Sequence, residues 1–395
     1  MDIRKKFYEE IIKKSFTIPL KVIFWDGEEV VMGDKPENTI RFMEPLNWKG
    51  LARDATLTLA EAYMDKKIEV EGSIQELMVS AFSNKESFIE NPKYKFFKYI
   101  QGHDKKKSKE DISYHYDLGN DFYKHWLDDS MTYSCAYFEG EKQALEEAQE
   151  AKIRHILKKL RLKKGDRLLD IGCGWGELII EASKSHKVKS LGITLSQEQY
   201  DEVKEKVHRQ GLEELVQVKI MDYRDLAQSG EKFSKIVSVG MFEHVGKENV
   251  GQYAENINEM MEGDSLALIH GISGQRDPYD GSKGKNTFLN KYIFPGGYIP
   301  SVSELIYAFN KTGLKLIDME SMRRQYQLTL EEWWRRFRSC WQGLEEEKGE
   351  RFMRMWDIYL QGCAAIFQAG QLDVCQYLLE KGTDNTRPLT RSYML

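Results

Sequence analysis

Short apolar segments alternate with longer amphipathic segments between Arg167 and about Ile272. The short segments have the length of strands, and the longer ones have the spacing of helices. This alternation is typical of βαβ units, so the sequence predicts an α/β domain built on a mainly parallel sheet. In such a sheet, ligands bind beyond the carboxyl ends of the strands.

The first 88 residues follow a different pattern. The spacing of apolar residues over 2–14 predicts a short helix, and "KVIFWDGEEVVMGD" predicts two strands around the turn Asp26-Gly27. The segment "TLTLAEAYMDKKIEVEG" predicts a helix followed by a short strand. These elements indicate a small N-terminal α+β domain over 1–88, without chemistry of its own.

A basic and aromatic linker is predicted over 89–110. It contains "KYKFFKYIQGHDKKKSK", which interleaves lysines with four aromatic rings. Lysines and interfacial aromatics together favour an anionic membrane surface. A solvated linker whose rings pack on a neighbouring domain explains the composition equally well. The remaining residues, 111–395, form a second predicted domain, which contains the βαβ units.

Composition narrows the possible classes of function. The chain has 395 residues and a formal net charge of −5, which disfavours a general nucleic-acid binder. Five cysteines without a CxxC pair indicate neither a zinc site nor a disulfide framework, so we expect no metal and a reducing, cytoplasmic compartment. No segment approaches the apolar length of a membrane span, and the charged N-terminus does not resemble a signal peptide.

The segment "RLLDIGCGWGELIIEA" carries the most specific signal. A short strand ends near Asp170, and Gly172, Gly174 and Gly176 separate it from a helix. Glycines allow a sharp turn and a close approach to a ligand. The third glycine of the dinucleotide fingerprint lies one residue further on, which disfavours an oxidoreductase. The spacing resembles the D-x-G-x-G-x-G motif of S-adenosylmethionine-dependent methyltransferases.

Residues at the ends of the following strands complete the predicted cofactor site. The next strand ends without an acid, so the ribose contact is assigned to Thr194–Gln199 as a group. "MDYRDL" (Met221–Leu226) follows a third strand and is expected near the adenine. A fourth strand leads into "GMFEHVG", which carries Glu243 and His244.

Several longer segments resemble the cyclopropane-fatty-acid synthase family, which includes the mycolic-acid cyclopropane synthases. Together they cover most of 114–395, so the resemblance implies a methyltransferase catalytic domain over 111–395. The first zone resembles the N-terminal domain of the phospholipid-acting members, which implies a lipid-associated or dimerisation domain over 1–88. The matching segments are "YHYDLGNDFYKHWLDDSMTYSCAYF" (Tyr114–Phe138), "LLDIGCGWG", "GITLSQEQ", "SVGMFEHVG", "NKYIFPGGYIPS" (Asn290–Ser301) and "YLQGCAAIF" (Tyr359–Phe367).

The resemblance implies a Rossmann-like methyltransferase fold and a reaction. The methyl of S-adenosyl-L-methionine is transferred to a cis double bond of a phospholipid acyl chain, leaving S-adenosyl-L-homocysteine. A proton is then lost, with a bound bicarbonate as the base, and the cyclopropane ring closes. Aromatic-rich segments such as "FYKHW" are expected to shield the cationic acyl chain from water.

The resemblance also implies site residues. The catalytic ones are Cys135, Glu243, His270, Ile272, Tyr326 and Cys363. Cys135 is expected to line the site rather than to act as a nucleophile, and Cys363 is equally consistent with a small buried hydrophobe. The cofactor-binding residues are Tyr133, Ser134, Asp170, Gly172, Cys173, Gly174, Thr194, Leu195, Ser196, Gln197, Glu198, Gln199, Asp222, Tyr223, Arg224 and Val239.

The implied partner is an unsaturated phospholipid in a bilayer, with peripheral association at the inner face of the membrane and a homodimeric assembly. The sequence leaves two alternatives open. One is a methyltransferase of the same fold that makes a methyl-branched lipid or uses another acceptor. The other is a catalytically silent lipid-binding module.

Overall fold

The computed structural model describes residues 3–87, 119–275 and 288–394. The helices are α1 (Ile3–Ser15), α2 (Trp48–Arg53), α3 (Ala55–Met64), α4 (Ile74–Ser83), α5 (Asn120–Lys124), α6 (Leu145–Leu160), α7 (Glu177–His186), α8 (Gln197–Arg209), α9 (Tyr223–Gln228), α10 (Val250–Met260), α11 (Phe288–Tyr292), α12 (Val302–Lys311), α13 (Arg323–Ser339), α14 (Trp341–Lys348) and α15 (Glu350–Gln368). The strands are β1 (Leu20–Ile23), β2 (Glu29–Met32), β3 (Asn38–Phe42), β4 (Ile68–Glu71), β5 (Arg167–Ile171), β6 (Lys189–Thr194), β7 (Val216–Ile220), β8 (Phe233–Val239), β9 (Met261–Gly274), β10 (Lys315–Ser321) and β11 (Leu372–Lys381).

The chain divides into two compact units. Among the described residues, the first unit takes 3–87, 288–295 and 330–371, and the second takes 119–275, 296–329 and 372–394. The sequence predicted contiguous domains, whereas this grouping places two later segments with the N-terminal residues. The local sequence determines that 288–295 and 330–371 are largely helical. Which unit these helices join depends on contacts with residues far away in the sequence. The predicted linker at 89–110 lies outside the described residues.

The first unit contains a four-stranded sheet in the order β2-β1-β3-β4. Strands β1 and β2 pair in antiparallel fashion, with Gly27 between them at a φ of +86°. The left-handed conformation at Gly27 explains why the Asp26-Gly27 dipeptide predicts this hairpin correctly. Helix α15 packs on α3 and α4, and the Tyr63 hydroxyl donates to Asp357 Oδ2 at 2.6 Å.

The second unit contains a seven-stranded sheet in the order β10-β11-β9-β8-β5-β6-β7. Strands β5 to β9 pair in parallel, and β10 and β11 complete the sheet in antiparallel fashion. Leu266 and Leu268 join one hydrophobic cluster, while Ala267 and Ile269 join another. Because successive strand residues face opposite sides, both faces of the sheet are covered. This confirms the predicted Rossmann-like α/β fold.

Among the residues that the structure describes, none of the helices has both the length and the apolar composition of a membrane span.

Candidate active site

The glycine-rich turn connects the end of β5 to the start of α7. Gly172, Gly174 and Gly176 all have positive φ angles, of +79°, +54° and +83°. A Cβ on Gly176 would lie 2.8 Å from Val203 Cγ2 of α8. Glycine is therefore required here both by backbone conformation and by the close approach of α8.

A cavity of about 210 Å³ opens beside this turn, at the carboxyl ends of β5, β6 and β8. Most of the predicted cofactor-binding residues line it, so the fold brings together segments that are far apart in sequence. These residues are Tyr133, Ser134, Asp170, Gly172, Cys173, Gly174, Thr194, Leu195, Ser196, Gln199, Asp222, Tyr223, Arg224 and Val239.

Two of the predicted residues, Gln197 and Glu198, do not line the cavity. Both are exposed in the first turn of α8, and Gln197 Nε2 donates to the Asp201 carboxylate at 3.0 Å. Gln199 instead turns inward, where its Oε1 accepts from Thr194 Oγ1 at 2.7 Å. The helix begins at Gln197, so its period directs 199 to the cavity and 197 and 198 to solvent.

A buried acid, Asp170, and a buried base, Lys152, both line the cavity. Burial raises the pKa of Asp170 to about 7, and Asp170 Oδ1 has no hydrogen-bond partner. Burial also lowers the pKa of Lys152 to about 8, although Asp128 and other acids oppose the shift. Lys152 Nζ donates to Ser134 Oγ at 3.0 Å.

Lys152 is not among the site residues predicted from the sequence. One signal was available, because Lys152 lies in the apolar stripe of α6 between Ala148 and Ile156, where a charged residue is unusual. It is only 3% exposed and lines the cavity. A buried lysine at a cavity wall is a candidate for binding a ligand group.

The rim of the cavity at the start of α9 carries an ion pair. Asp222 caps the helix by accepting from the Arg224 backbone amide, and its carboxylate also pairs with the Arg224 guanidinium at 2.5 Å. The hydrogen bond that the Arg224 guanidinium donates to Asp222 raises the pKa of Arg224 above its usual value. This pair fixes both side chains beside Tyr223.

An aromatic cluster packs behind another wall. The rings of Phe122, Tyr123 and Trp126 are buried together, and Tyr123 contacts both Tyr133 and Trp175 at centroid distances of 5.4 and 5.8 Å. Of these five rings, Tyr133 and Trp175 line the cavity. The "FYKHW" aromatics therefore support the cofactor cavity from behind.

Glu243 and Ile272, two of the predicted catalytic residues, are in direct contact. Glu243 lies in a short 3-10 turn after β8, and its Oε1 accepts from the Ile272 backbone amide at 2.8 Å. Burial raises the pKa of Glu243 to about 7, and Oε2 has no hydrogen-bond partner. Gly271 permits this contact, because a Cβ there would lie 2.8 Å from Glu243 Oε1.

Cys135 and Tyr326 share a neighbour. Cys135 Sγ lies 3.9 Å from the Met322 carbonyl oxygen, which also accepts from the Tyr326 backbone amide at 3.0 Å. The Met322 amide donates to Val374, and Val374 pairs with Ile272 in the β9–β11 register. This series of contacts connects Cys135 and Tyr326 to Ile272 through Met322 and β11. Burial raises the pKa of the Cys135 thiol well above its usual range, so it is neutral.

His270 lies on β9 opposite Val239, which lines the cavity. Burial, followed by the charges of Lys152 and Lys159, lowers the pKa of His270 to about 3. Burial also lowers the pKa of His244 to about 4, and this side chain does line the cavity. Both rings are therefore neutral at physiological pH.

Cys363 is placed differently from the other predicted catalytic residues. It lies in α15 of the first unit, whereas the cavity is formed entirely by the second. Burial raises the pKa of its thiol to about 12. A reactive cysteine needs a lowered pKa, whereas the raised pKa here keeps the Cys363 thiol protonated.

Comparisons with known proteins identify relatives of this chain. A family model described as mycolic acid cyclopropane synthetase matches residues 103–377, and a domain of unknown function matches residues 7–93. A "Probable fatty acid methyltransferase" of Pseudomonas putida is 37% identical over 376 residues, which cover 93% of each chain.

A further relative and a solved structure match 69% and 71% of this chain. The "Cyclopropane-fatty-acyl-phospholipid synthase" of Escherichia coli (strain K12) is 37% identical over 271 residues, covering 69% of this chain and 68% of the relative. The crystal structure of mycolic acid cyclopropane synthase CmaA1 complexed with SAH and CTAB superposes with a TM-score of 0.64 at 30% identity, covering 71% of this chain and 99% of that one. This chain therefore belongs to the cyclopropane synthase family of S-adenosylmethionine-dependent methyltransferases.

Proposed function

We propose that this protein transfers the methyl of S-adenosylmethionine to a cis double bond of an unsaturated phospholipid acyl chain, and that deprotonation then closes a cyclopropane ring. The observation that carries the proposal is the buried Glu243 carboxyl. Its Oε2 has no hydrogen-bond partner, and it follows directly after a strand whose end lines the cofactor cavity. The name of the E. coli relative supports the phospholipid substrate.

The cavity fits S-adenosylmethionine, which supplies an electrophilic methyl group on a cationic sulfur. Its amino acid end carries an ammonium and a carboxylate. The partnerless Asp170 Oδ1 is suited to accept from the ammonium, and Lys152 and Ser134 provide donors for the carboxylate. Buried charges of both signs thus match a zwitterionic group.

Apolar side chains around the cavity exclude water from the reacting centre. Tyr133, Trp175, Met241 and Val245 all line the cavity, and Phe122, Tyr123 and Trp126 fill the space behind the first two. An alkene is a weak nucleophile, and the cation left on the acyl chain would be captured by water. A dry wall with aromatic faces protects that cation and stabilises it by about 0.5–2 kcal/mol per ring.

The neutral groups beyond the cavity are suited to hold a bicarbonate anion. At neutral pH the Glu243 carboxyl is partly protonated, because its pKa is about 7, and Cys135 and His270 are uncharged. Binding an anion among them therefore adds no second full negative charge when Glu243 carries its proton. The Ile272 amide already donates to Glu243, so we assign Ile272 the role of orienting Glu243. On the family resemblance, we assign Tyr326 as a hydrogen-bond donor to the bicarbonate.

Membrane association and assembly complete the proposal. A phospholipid substrate requires access to a bilayer, and we propose peripheral binding at the inner face of the membrane with the lysine-rich segment 89–110 as one contact. We also propose a homodimer, which rests on the resemblance of the N-terminal domain to that of the phospholipid-acting members.

Mass spectrometry of lipids tests the proposed reaction. Unsaturated phosphatidylglycerol vesicles are incubated with S-adenosylmethionine and the protein, and the Glu243→Gln variant serves as the matched control. We expect a gain of one CH₂ unit per reacting chain together with resistance to ozone, because a cyclopropane lacks the double bond that ozone cleaves. No gain in mass would contradict the proposal.

A methyl-branched lipid is the second candidate product. The Pseudomonas putida relative, which matches 93% of the chain, is named a probable fatty acid methyltransferase. Both outcomes share the methyl transfer and differ in where the proton is lost. A product that gains one CH₂ unit and is still cleaved by ozone would establish the branched alternative.

A further inference from the structure

A buried polar chain lies behind His270. Gln376 of β11 pairs with His270 of β9 in the sheet register, and its Nε2 lies 3.3 Å from His270 Nδ1. The Gln376 Oε1 accepts from Lys159 Nζ at 2.8 Å. His270, Gln376 and Lys159 are each at most 2% exposed, so water does not compete for these contacts.

The Lys159 ammonium is anchored from its other side by carboxylates of β10. It forms an ion pair with Glu320, and Asp318 Oδ2 lies 3.9 Å away. Burial by itself would raise the pKa of Glu320. The hydrogen bond from His155 and the charge of Lys159 outweigh burial and lower this pKa to about 2. Glu320 is thus a carboxylate, and Lys159 faces it as a cation.

The chemistry of an ammonium group decides which way the Gln376 amide points. An ammonium has three donors and no acceptor, so the amide atom facing Lys159 must be the oxygen. The amide NH₂ then faces His270 and donates to Nδ1. A neutral imidazole carries one proton, and an accepting Nδ1 places that proton on Nε2.

We propose that Lys159 and Gln376 are positioning residues that hold His270 as the Nε2–H tautomer. The side of the ring opposite Gln376 therefore presents a hydrogen-bond donor. Given the proposed function, on which this role rests, His270 binds an oxyanion such as bicarbonate and does not itself remove the proton. The base is then the bound anion.

Nitrogen-15 NMR of the histidine rings in the ligand-free protein tests the tautomer directly. The His270 resonances are identified as those lost in His270→Gln. In the wild type we expect an unprotonated Nδ1 and a protonated Nε2. Because this measurement needs neither a substrate nor a variant at Gln376, a protonated Nδ1 in the wild type would overturn the proposal by itself.

Variants test the role of the pair. Gln376→Glu replaces the donor by an acceptor, so the ring should change to the Nδ1–H tautomer, and Lys159→Met should leave a mixture because the amide is free to turn. We expect kcat to fall by about 10–10²-fold in both, with KM for S-adenosylmethionine unchanged. Gln217→Glu, at an exposed position of β7, is the matched control and should change neither readout.

The outcomes separate the two proposals. A tautomer that changes as expected together with lower kcat supports both. A tautomer that changes while kcat is unaltered supports the positioning pair and removes His270 from the proposed mechanism. A tautomer that stays the same in Gln376→Glu overturns the positioning pair, whatever the activity.

Discussion

Gly271 determines how closely Glu243 approaches the central sheet, and Gly271→Ala tests its importance. The added Cβ would lie 2.5 Å from Phe242 Cε1 and 2.8 Å from Glu243 Oε1. Carbon atoms in favourable contact are about 3.5–4.0 Å apart. Gly271 lies inside β9, between β8 and β11, and pairs with Cys375. Because the strand is held on both sides, the side chains of Phe242 and Glu243 must move instead.

The structure sets the size of the expected effects. Overpacking of this kind costs about 1–3 kcal/mol, and at about 2–4 °C per kcal/mol the Tm should fall by about 2–12 °C. Glu243 Oε1 must also retreat by about 0.6 Å to reach an ordinary contact distance, which weakens its bond to the Ile272 amide. Since a misplacement of about 1 Å can cost about 10²-fold in rate, we expect kcat to fall by about 10–10²-fold.

Three measurements check this prediction. Transfer of labelled methyl into vesicle lipids gives kcat, calorimetry gives the affinity for S-adenosylhomocysteine, and thermal unfolding gives Tm. The affinity should not change, because Gly271 does not line the cavity. Gly251→Ala is the matched control, since Gly251 is an exposed position of α10 with no atom near its Cβ, and this variant should be neutral or slightly stabilising. Normal activity and Tm in Gly271→Ala would show that Glu243 does not depend on the close approach at Gly271.

Three further predictions concern Glu243, Asp170 and the lysine-rich segment 89–110. Glu243→Ala should lose about 10²–10⁴-fold in turnover while retaining affinity for S-adenosylhomocysteine, and normal turnover would remove Glu243 from the mechanism. Asp170 has a folded-state pKa of about 7, above its value of about 3.9 in an unfolded chain, so stability falls as pH rises through this interval. Asp170→Asn should therefore raise the free energy of unfolding of the ligand-free protein at pH 8 by at most about 4 kcal/mol, which is seen as a higher Tm. Near pH 4 the variant should show no such gain. It should also bind the cofactor more weakly. Activity on anionic vesicles should fall as salt is added if 89–110 contacts the membrane, whereas activity that is independent of salt would assign that segment a packing role.

Local sequence signals predicted the features that a single turn or strand determines. Gly172, Gly174 and Gly176 all adopt positive φ angles, which is why their spacing identifies the strand-turn-helix before any packing is known. The same holds for Gly27 in the β1–β2 hairpin. The alternation of segments after Arg167 likewise predicted the parallel sheet.

Strand ends predicted from the sequence identified the segments near the cofactor site. They did not identify which residues of each segment point toward the cavity. Most of the Thr194–Gln199 group lines the cavity, but Gln197 and Glu198 face solvent. Which members of a short segment point inward depends on the residue at which α8 begins. A shift of one or two residues in a helix boundary reverses that choice, and sequence patterns do not fix boundaries so closely.

Tertiary structure alone decided the contacts between distant segments. Lys152 reaches the cavity wall because the apolar stripe of α6 packs inward, and Glu243 meets Ile272 because β8 and β9 are neighbours in register. Gln376 faces His270 only because β11 is inserted beside β9, over a hundred residues away in the chain. The sequence thus determined the local backbone and the type of chemistry. The pKa values, partners and orientation of the reacting groups came from strand register and burial, which depend on the whole fold.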